Sequence, residues 1–288
     1  MMRVLAEQVL GFDVGGSKIL ARIGPWRERI ASGRDCSPDR LVDIVVGSIA
    51  RATAAGHCPM GIGIGFPGLV ADGGSGVRSS VILDGWSDVP LAALLRQRTG
   101  LPARIENDVN CWALGELAKR PDATSFLLLT VGTGVGGAIV LNRRLWRGRS
   151  GLAGEIGHAS VDEDGILCLC GQKGCVGPLV GGEALCAELA INSHLLKERI
   201  RSRDPVVAAA IRWRAEALGS VVANALNLLD PGLVVIAGSL APAFLPGVKL
   251  KAGNAFAEIV ANTRVELSCA MPDGAAVGAT HLLDGEQA

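Results

Sequence analysis

The feature that most limits what this chain can become is a supersecondary unit that occurs twice. Residues 9–13 read Val-Leu-Gly-Phe-Asp, an apolar strand ending in an acid; Gly15-Gly16-Ser17-Lys18 follows, and 19–23 is a second apolar strand. The plan returns at 126–131, with the turn Gly132-Thr133-Gly134-Val135-Gly136-Gly137 and a return strand at 138–141. Strand, glycine turn and strand is the pattern of a β-hairpin. One copy in each half predicts two related α/β lobes facing each other across a cleft. Glycine turns expose backbone N–H groups, and phosphate oxygens are their natural ligands. With 288 residues and roughly 150 residues per domain, the chain has room for two cores.

Two simpler readings of the glycines fail. Gly132, Gly134 and Gly137, like Gly63, Gly65 and Gly68, fit G-x-G-x-x-G, but a dinucleotide fingerprint must open a helix. Gly137 leads instead into a β-branched strand, and Gly68 follows a proline. No G-x-x-x-x-G-K-[ST] run is present, which excludes a Walker-type ATPase. Lys and Arg number 28 against 28 Asp and Glu, so no net field draws the chain to nucleic acid or to an anionic membrane. Small-molecule partners are expected. Uncharged stretches at 52–71, 123–142 and 231–248 approach the length of a membrane span, yet Gly and Pro cut each into strand, turn and strand. The first residues carry no signal-peptide pattern, and the expected location is the cytoplasm.

The stretch 154–175 holds His158, Cys168, Cys170 and Cys175, spaced His-x9-Cys-x-Cys-x4-Cys. One His and three Cys make the soft, tetrahedral donor set of a structural Zn2+ site. Gly171 and Gly174 can take the left-handed backbone that folds the sulfurs inward. Any one of these cysteines alone reads as a core residue or half of a disulfide; the four residues together read as a metal site in a reducing compartment. Cys36, Cys58, Cys111, Cys186 and Cys269 are read as packing residues. His57, His194 and His281, without acidic or Cys neighbours at ligand spacing, are read as surface or packed residues.

Elsewhere the spacing predicts a helix at 41–55, a buried strand at 61–65 and a helix at 91–99 ended by Gly100 and Pro102. A short strand at 103–106 then delivers Asn107-Asp108 to the start of a helix over 109–119. Asn and Asp are favoured N-caps, so capping alone can explain an Asp here. The other reading is a carboxylate and an amide held together at a helix N-terminus for chemistry. Further on, the pattern gives one long helix or two over 206–229 and a buried strand at 233–236 entering the turn Ala237-Gly238-Ser239. Pro242, Pro246, Lys249 and Lys251 then suggest a loop, followed by a helix at 255–261, a strand at 265–268 and a terminal helix at 274–283.

Asp13-x-Gly15-Gly16-Ser17-Lys18, Glu106-Asn107-Asp108-x-Asn110, Gly132-Thr133-Gly134-x-Gly136-Gly137, Gly154-Glu155-x-Gly157-His158 and the Cys168/Cys170/Cys175 cluster come in that order. Together they resemble the ROK family of bacterial sugar kinases and sugar-sensing repressors, over nearly the whole chain. The resemblance implies a two-lobed, actin-like α/β fold of the hexokinase, ribonuclease H-like type. It implies a smaller lobe at 1–115 with 277–288 and a larger one at 116–276 carrying the zinc motif. It further implies an ATP-dependent phosphotransferase acting on a hydroxyl, the primary 6-OH, of a hexose or sugar-like polyol. Asp108 is then the general base, Asn107, Glu155 and His158 bind sugar hydroxyls, and Gly68 lies beside the sugar. Gly15, Gly16, Thr133 and Gly134 line the phosphates, with Ser17 and Lys18 in the same nucleotide site; Gly238 approaches the adenine, and Asp13 orients Mg2+. His158 serves twice, giving one ring nitrogen to zinc and the other to the sugar. A homodimer or homotetramer is expected.

One position departs from the family pattern. Relatives usually carry, two residues after the last cysteine, a Glu that contacts hydroxyls near the anomeric carbon, and here Gly177 stands there. Glu183, the next acid, reads as a first-turn partner of its helix dipole. Losing one charged hydrogen bond costs about 1.5–3 kcal/mol, so an amino sugar, an N-acyl sugar or a cyclitol joins glucose as a candidate. The rival readings are a sugar-responsive transcriptional regulator and a zinc-stabilised, non-catalytic sugar sensor. Regulators of this kind carry a helix-turn-helix domain before the first glycine turn, and only 12 residues precede Asp13.

Overall fold

The computed structural model describes residues 6–284. The chain forms two compact units: one from the stretches up to Asp122, Arg144–Ala153 and from Cys269 onward, the other from Ala123–Arg143 and Gly154–Ser268.

The first unit runs β1 (Val9–Val14), β2 (Lys18–Ile23), β3 (Trp26–Ala31), α1 (Pro38–Ala54), β4 (Gly61–Phe66), β5 (Leu69–Val70), β6 (Val77–Ser79), β7 (Ser87–Val89), α2 (Leu91–Thr99), β8 (Ala103–Asn107) and α3 (Asp108–Lys119). Its main sheet has the order β3-β2-β1-β4-β8. The hairpin strands β1 and β2 are antiparallel, while β4 and β8 run parallel to β1. Local signals set the helix ends. Ser37 caps α1 by accepting from the Arg40 amide, with a proline in the first turn, and Gly100 closes α2 with φ of 73°.

Every residue of β4, Gly-Ile-Gly-Ile-Gly-Phe, is buried. Alternation sends Ile62, Ile64 and Phe66 to one face and leaves the glycines on the other. On that bare face packs the late helix (Gly274–Ala279) of the same unit: a Cβ on Gly63 would lie 1.8 Å from the Ala279 carbonyl oxygen, and one on Gly11 of β1 would lie 2.4 Å from that of Ala276. The G-x-G-x-x-G at 63–68 therefore serves close backbone approach.

The second unit repeats the plan. β9 (Phe126–Val131) and β10 (Val135–Leu141) are antiparallel around the Gly132–Gly134 turn, and the strands Leu233–Ala237 and Arg264–Leu267 extend the sheet in parallel. The helices are α4 (Val176–Val180), α5 (Gly182–Glu188), α6 (Ser193–Arg201), α7 (Pro205–Leu229), α8 (Ala241–Ala252) and α9 (Ala257–Asn262). The 206–229 region is one helix, capped by Asp204 and closed by Asp230 in the left-handed region. Among the described residues, no helix is long and apolar enough to cross a membrane.

Three differences from the sequence reading have local causes. The segment expected as a loop around Pro242 and Pro246 is α8. Pro242 occupies its first turn, where no N–H is needed, and Pro246 is accommodated inside it. Packing holds it: a Cβ on Gly247 would come within 2.6 Å of the Ala215 Cβ of α7. β3 was not expected, because Trp-Arg-Glu-Arg-Ile-Ala is charged in alternation, as suits an exposed edge strand. The small sheet β5-β6-β7 was also missed, since its strands have only two or three residues.

Candidate active site and metal site

In the first unit, β8 ends at Asn107 and α3 starts at Asp108 without a loop between them. The cap is Asn107: its Oδ1 accepts from the amides of Val109 at 2.9 Å and Asn110 at 3.1 Å. Asp108 Oδ1 adds a second acceptor at the Val109 amide, 3.0 Å away. Capping therefore does not depend on Asp108, whose half-buried carboxylate stands in the first turn, where the helix dipole favours negative charge. Asn107 Nδ2 reaches the Gly68 carbonyl at 3.4 Å, so three of the residues assigned to sugar binding meet at one corner.

That corner is braced from below. Glu106 is 7% exposed. Its Oε1 accepts from the Asn107 amide at 2.9 Å and from Asn110 Nδ2 at 3.0 Å, while its Oε2 accepts from Arg147 Nε at 2.7 Å. Asp13 is the penultimate residue of β1 and is partly buried. Burial pushes its carboxyl up to about 6, against the pull of Lys18 and with an added push from Asp273. A desolvated carboxylate of this kind gains from a divalent cation, so the donor fits Mg2+ chemistry. The Gly15 amide donates to the Lys18 carbonyl at 3.0 Å, which closes the turn on which Gly15, Gly16 and Ser17 stand.

In the second unit, Thr133 and Gly134 lie at the end of β9, exposed, and Gly238 follows the neighbouring parallel strand. Gly238 has φ of 95°, and a Cβ there would lie 2.4 Å from the Val131 carbonyl oxygen. The two turns are thus in backbone contact at the carboxyl ends of adjacent strands, where open α/β sheets bind ligands. The loop carbonyls are already engaged: those of Gly132 and Thr133 accept from the Gly182 and Glu183 amides at 2.8 and 3.0 Å. Glu183 belongs to that contact. Within the turn the Gly132 amide donates to the Gly134 carbonyl at 3.0 Å.

His158, Cys168, Cys170 and Cys175 offer four donor atoms that all lie within 4.8 Å of one another. A tetrahedral zinc with the usual Zn–S and Zn–N lengths has edges of about 3.8 Å between sulfurs and about 3.5 Å between sulfur and nitrogen. Here Cys170 and Cys175 are 3.6 Å apart at sulfur, and Cys168 Sγ is 3.5 Å from His158 Nδ1. The donor set fits zinc, and no disulfide joins these cysteines. Two left-handed glycines, Gly171 with φ of 89° and Gly174 with φ of 70°, make the fold of the loop possible. The Gln172 backbone amide pulls the Cys170 thiol down to about 7, whereas burial pushes Cys175 up to about 12; a bound cation favours both thiolates. With Nδ1 facing the sulfurs, His158 turns Nε2 toward Glu155, 3.8 Å from its Oε2.

The model of the ROK family matches residues 9–285. The chain belongs to the ROK family. A glucokinase of Streptomyces coelicolor is 30% identical over 260 residues, covering 80% of this chain and 81% of that protein. The xylose repressor of Caldicellulosiruptor bescii is 30% identical over 220 residues, 68% of this chain and 54% of the repressor. Among solved structures, the ROK family glucokinase from Streptomyces griseus in complex with glucose and AMPPNP superposes with a TM-score of 0.80 at 28% identity, covering 95% of this chain and 98% of that one. The fold is accordingly the actin-like, hexokinase-type fold expected of a ROK protein.

Some side chains of this ROK chain escaped the sequence reading. Arg147 pairs with Glu106 across 41 positions, a separation no local pattern reveals. His281 does have an acidic neighbour, Asp284, with 2.9 Å between Nδ1 and Oδ2; the spacing of three was visible but uninformative without the turn that joins them. Cys58 and Cys269 are exposed and so are not packing residues. The Cys269 thiol donates to the buried carboxylate of Glu116 at 3.1 Å.

Proposed function

We propose that this ROK protein is an ATP-dependent kinase that phosphorylates a hydroxyl, the primary 6-OH, of a hexose or sugar-like polyol. The observation that carries the reading is the first turn of α3, where Asn107 accepts from both the Val109 and Asn110 amides and the half-buried Asp108 carboxylate stands beside it at the helix N-terminus. A carboxylate at that point can accept the proton of an attacking hydroxyl as the O–P bond forms. Support comes also from the similarity to glucokinases and from two glycine turns of the phosphate-binding type.

The transition state of phosphoryl transfer is loose, so positioning and charge neutralisation carry most of the acceleration, with base catalysis worth about 10²–10⁴. Asn107, Glu155 and His158 would orient sugar hydroxyls, with Gly68 beside them. The backbones of Gly15, Gly16, Thr133 and Gly134 would hold phosphate oxygens, together with Ser17 and Lys18, and Gly238 would adjoin the adenine. Asp13 would orient Mg2+, which neutralises charge on the transferring phosphate. A zinc held by His158, Cys168, Cys170 and Cys175 would fix the imidazole so that Nε2 remains for the substrate.

Gly177 makes the anomeric end of the substrate the point of specificity. A Cβ there would approach the Gly157 carbonyl oxygen to 2.9 Å, so α4 lies directly on the turn that carries Glu155 and His158. Without the family's Glu, a substrate that offers an amino or N-acyl group, or a cyclitol carbon, loses less than glucose does. The test is ADP release by the purified, zinc-replete protein with glucose, amino sugars, N-acyl sugars and carbasugar cyclitols, the product being located by phosphorus NMR. We expect phosphorylation at the primary hydroxyl and a preference for a substrate altered at the anomeric end. Preference for plain glucose refutes the role given to Gly177. No ADP with any polyol refutes the kinase and leaves a non-catalytic sugar sensor or regulator.

A further inference from the structure

Glu106 and Arg147 have no part in the mechanism above, yet they form an ion pair, its carboxylate buried and its guanidinium half-buried, against the residues that do. Each Glu106 oxygen has its own task. Oε1 holds the Asn107 amide and the Asn110 side chain, both within the first turn of α3, and Oε2 takes the Arg147 guanidinium at 2.7 Å. Arg147 comes from the stretch Arg144–Ala153, which belongs to the first unit although its chain neighbours on both sides belong to the second. That stretch is folded on itself: the Ala153 amide donates to the Arg147 carbonyl at 3.0 Å, and Gly148 has φ of 69°. Residue 154 then begins the run to Glu155 and His158.

A buried carboxylate deprived of its cation does not stay where it is. It protonates or rotates toward water, because burying an unpaired charge costs more than the pairing gains. Either change weakens the Oε1 bonds that hold Asn107 and Asn110. The neighbourhood is acidic: burial first, and then the charges of Glu106, Asp108 and Asp13, push the buried Cys111 thiol up, while Arg147 pulls it down. Arg104, two residues before Glu106 on β8, is a second guanidinium whose charge interacts with both partners.

We propose that Arg147 is a positioning residue for phosphoryl transfer, acting through Glu106 to hold the Asn107-Asp108 turn in its reactive geometry. The inference rests on the kinase reading for its catalytic consequence, and on the hydrogen-bond geometry alone for its structural one. A displacement of about 1 Å at a reacting group can cost 100-fold in rate. Arg147→Ala is therefore expected to lower kcat by about 10–100-fold, with KM for ATP nearly unchanged. Arg147→Lys should recover part of the loss, and so should free guanidinium added to Arg147→Ala below denaturing concentrations. Arg104→Ala, which leaves the 2.7 Å bond in place, should have the smaller effect.

The same variants are followed by hydrogen exchange, reading the amides of Asn107 and Asn110 against those of α1. Faster exchange confined to the α3 turn in Arg147→Ala is expected. Wild-type kcat in Arg147→Ala, or a loss that guanidinium and Lys do not restore and that tracks a general fall in melting temperature, overturns the proposal. If the wild-type protein phosphorylates nothing, the kinase reading fails. The exchange measurement still decides the strut: unchanged protection at Asn107 and Asn110 overturns it.

Discussion

Asp108→Asn tests the proposed base while leaving the helix cap in place. In most helices an Asp at this point would be the cap, and its loss would cost stability. Here Asn107 accepts both first-turn amides, Val109 at 2.9 Å and Asn110 at 3.1 Å, so the cap survives the substitution, and the charge lost near the helix N-terminus is worth about 0.3–1 kcal/mol. The new amide oxygen can still accept from Val109. Chemistry should suffer far more. Loss of a general base lowers kcat by about 10²–10⁴, equivalent to about 3–5 kcal/mol of transition-state stabilisation. The assay pairs coupled ADP release under saturating sugar and ATP with urea denaturation and zinc content of the same preparation. Expected is a collapse of kcat with stability within about 1 kcal/mol of wild type and unchanged zinc. As a converse, Asn107→Ala should lose about 0.5–2 kcal/mol of stability through the cap. Turnover near the wild-type value in Asp108→Asn removes Asp108 from the role of base.

Stripping the metal with a chelator, or replacing Cys170 by Ser, should lower the melting temperature and end phosphorylation together; cobalt loaded into the stripped protein should give the visible bands of a tetrahedral thiolate site, and their absence refutes the Cys3His assignment. Burial pushes the Asp13 carboxyl up to about 6 in the folded protein, above the usual value of about 4, so the folded state holds the extra proton between those values. Its contribution to stability is therefore greatest at low pH and falls as pH rises through that window. Asp13→Asn should flatten that slope in denaturation curves from about pH 4 to about pH 7, raise stability at neutral pH by at most about 3 kcal/mol, and abolish magnesium-dependent turnover; a slope unchanged from wild type refutes the burial argument. Gly278→Ala would drive a Cβ to within 1.6 Å of the Cys111 carbonyl oxygen. The cost should exceed the 1–3 kcal/mol usual for overpacking, roughly estimated, and a variant that melts with the wild type refutes the packing of the late helix on α3.

How far the sequence could be read depends on the range over which each signal acts. Signals that act within a few residues were legible: Gly100 ended α2 where expected, and strand 103–106 handed Asn107-Asp108 to a helix. The spacing of His158 and the three cysteines was legible for the same reason, because two close turns bring the sulfurs together. The choice between capping and chemistry for Asp108 was not, since Asn107 and Asp108 are both good caps and only the backbone at the junction decides which one bends back. Prolines misled at α8, where tertiary contact with α7 outweighs a local preference against helix. The glycines of β4 looked like a phosphate fingerprint and are explained by a helix more than 200 positions away, roughly the span from Gly63 to Ala279. The Glu106–Arg147 pair belongs to this second kind. The END motif supplied the carboxylate in plain view, but its partner arrives by way of a segment that the chain reaches only after building the β9–β10 hairpin. Glu106, a buried acid two positions before Asp108, is the trace of such a partner in the sequence: a carboxylate at that depth implies a cation, which can come from any distance along the chain.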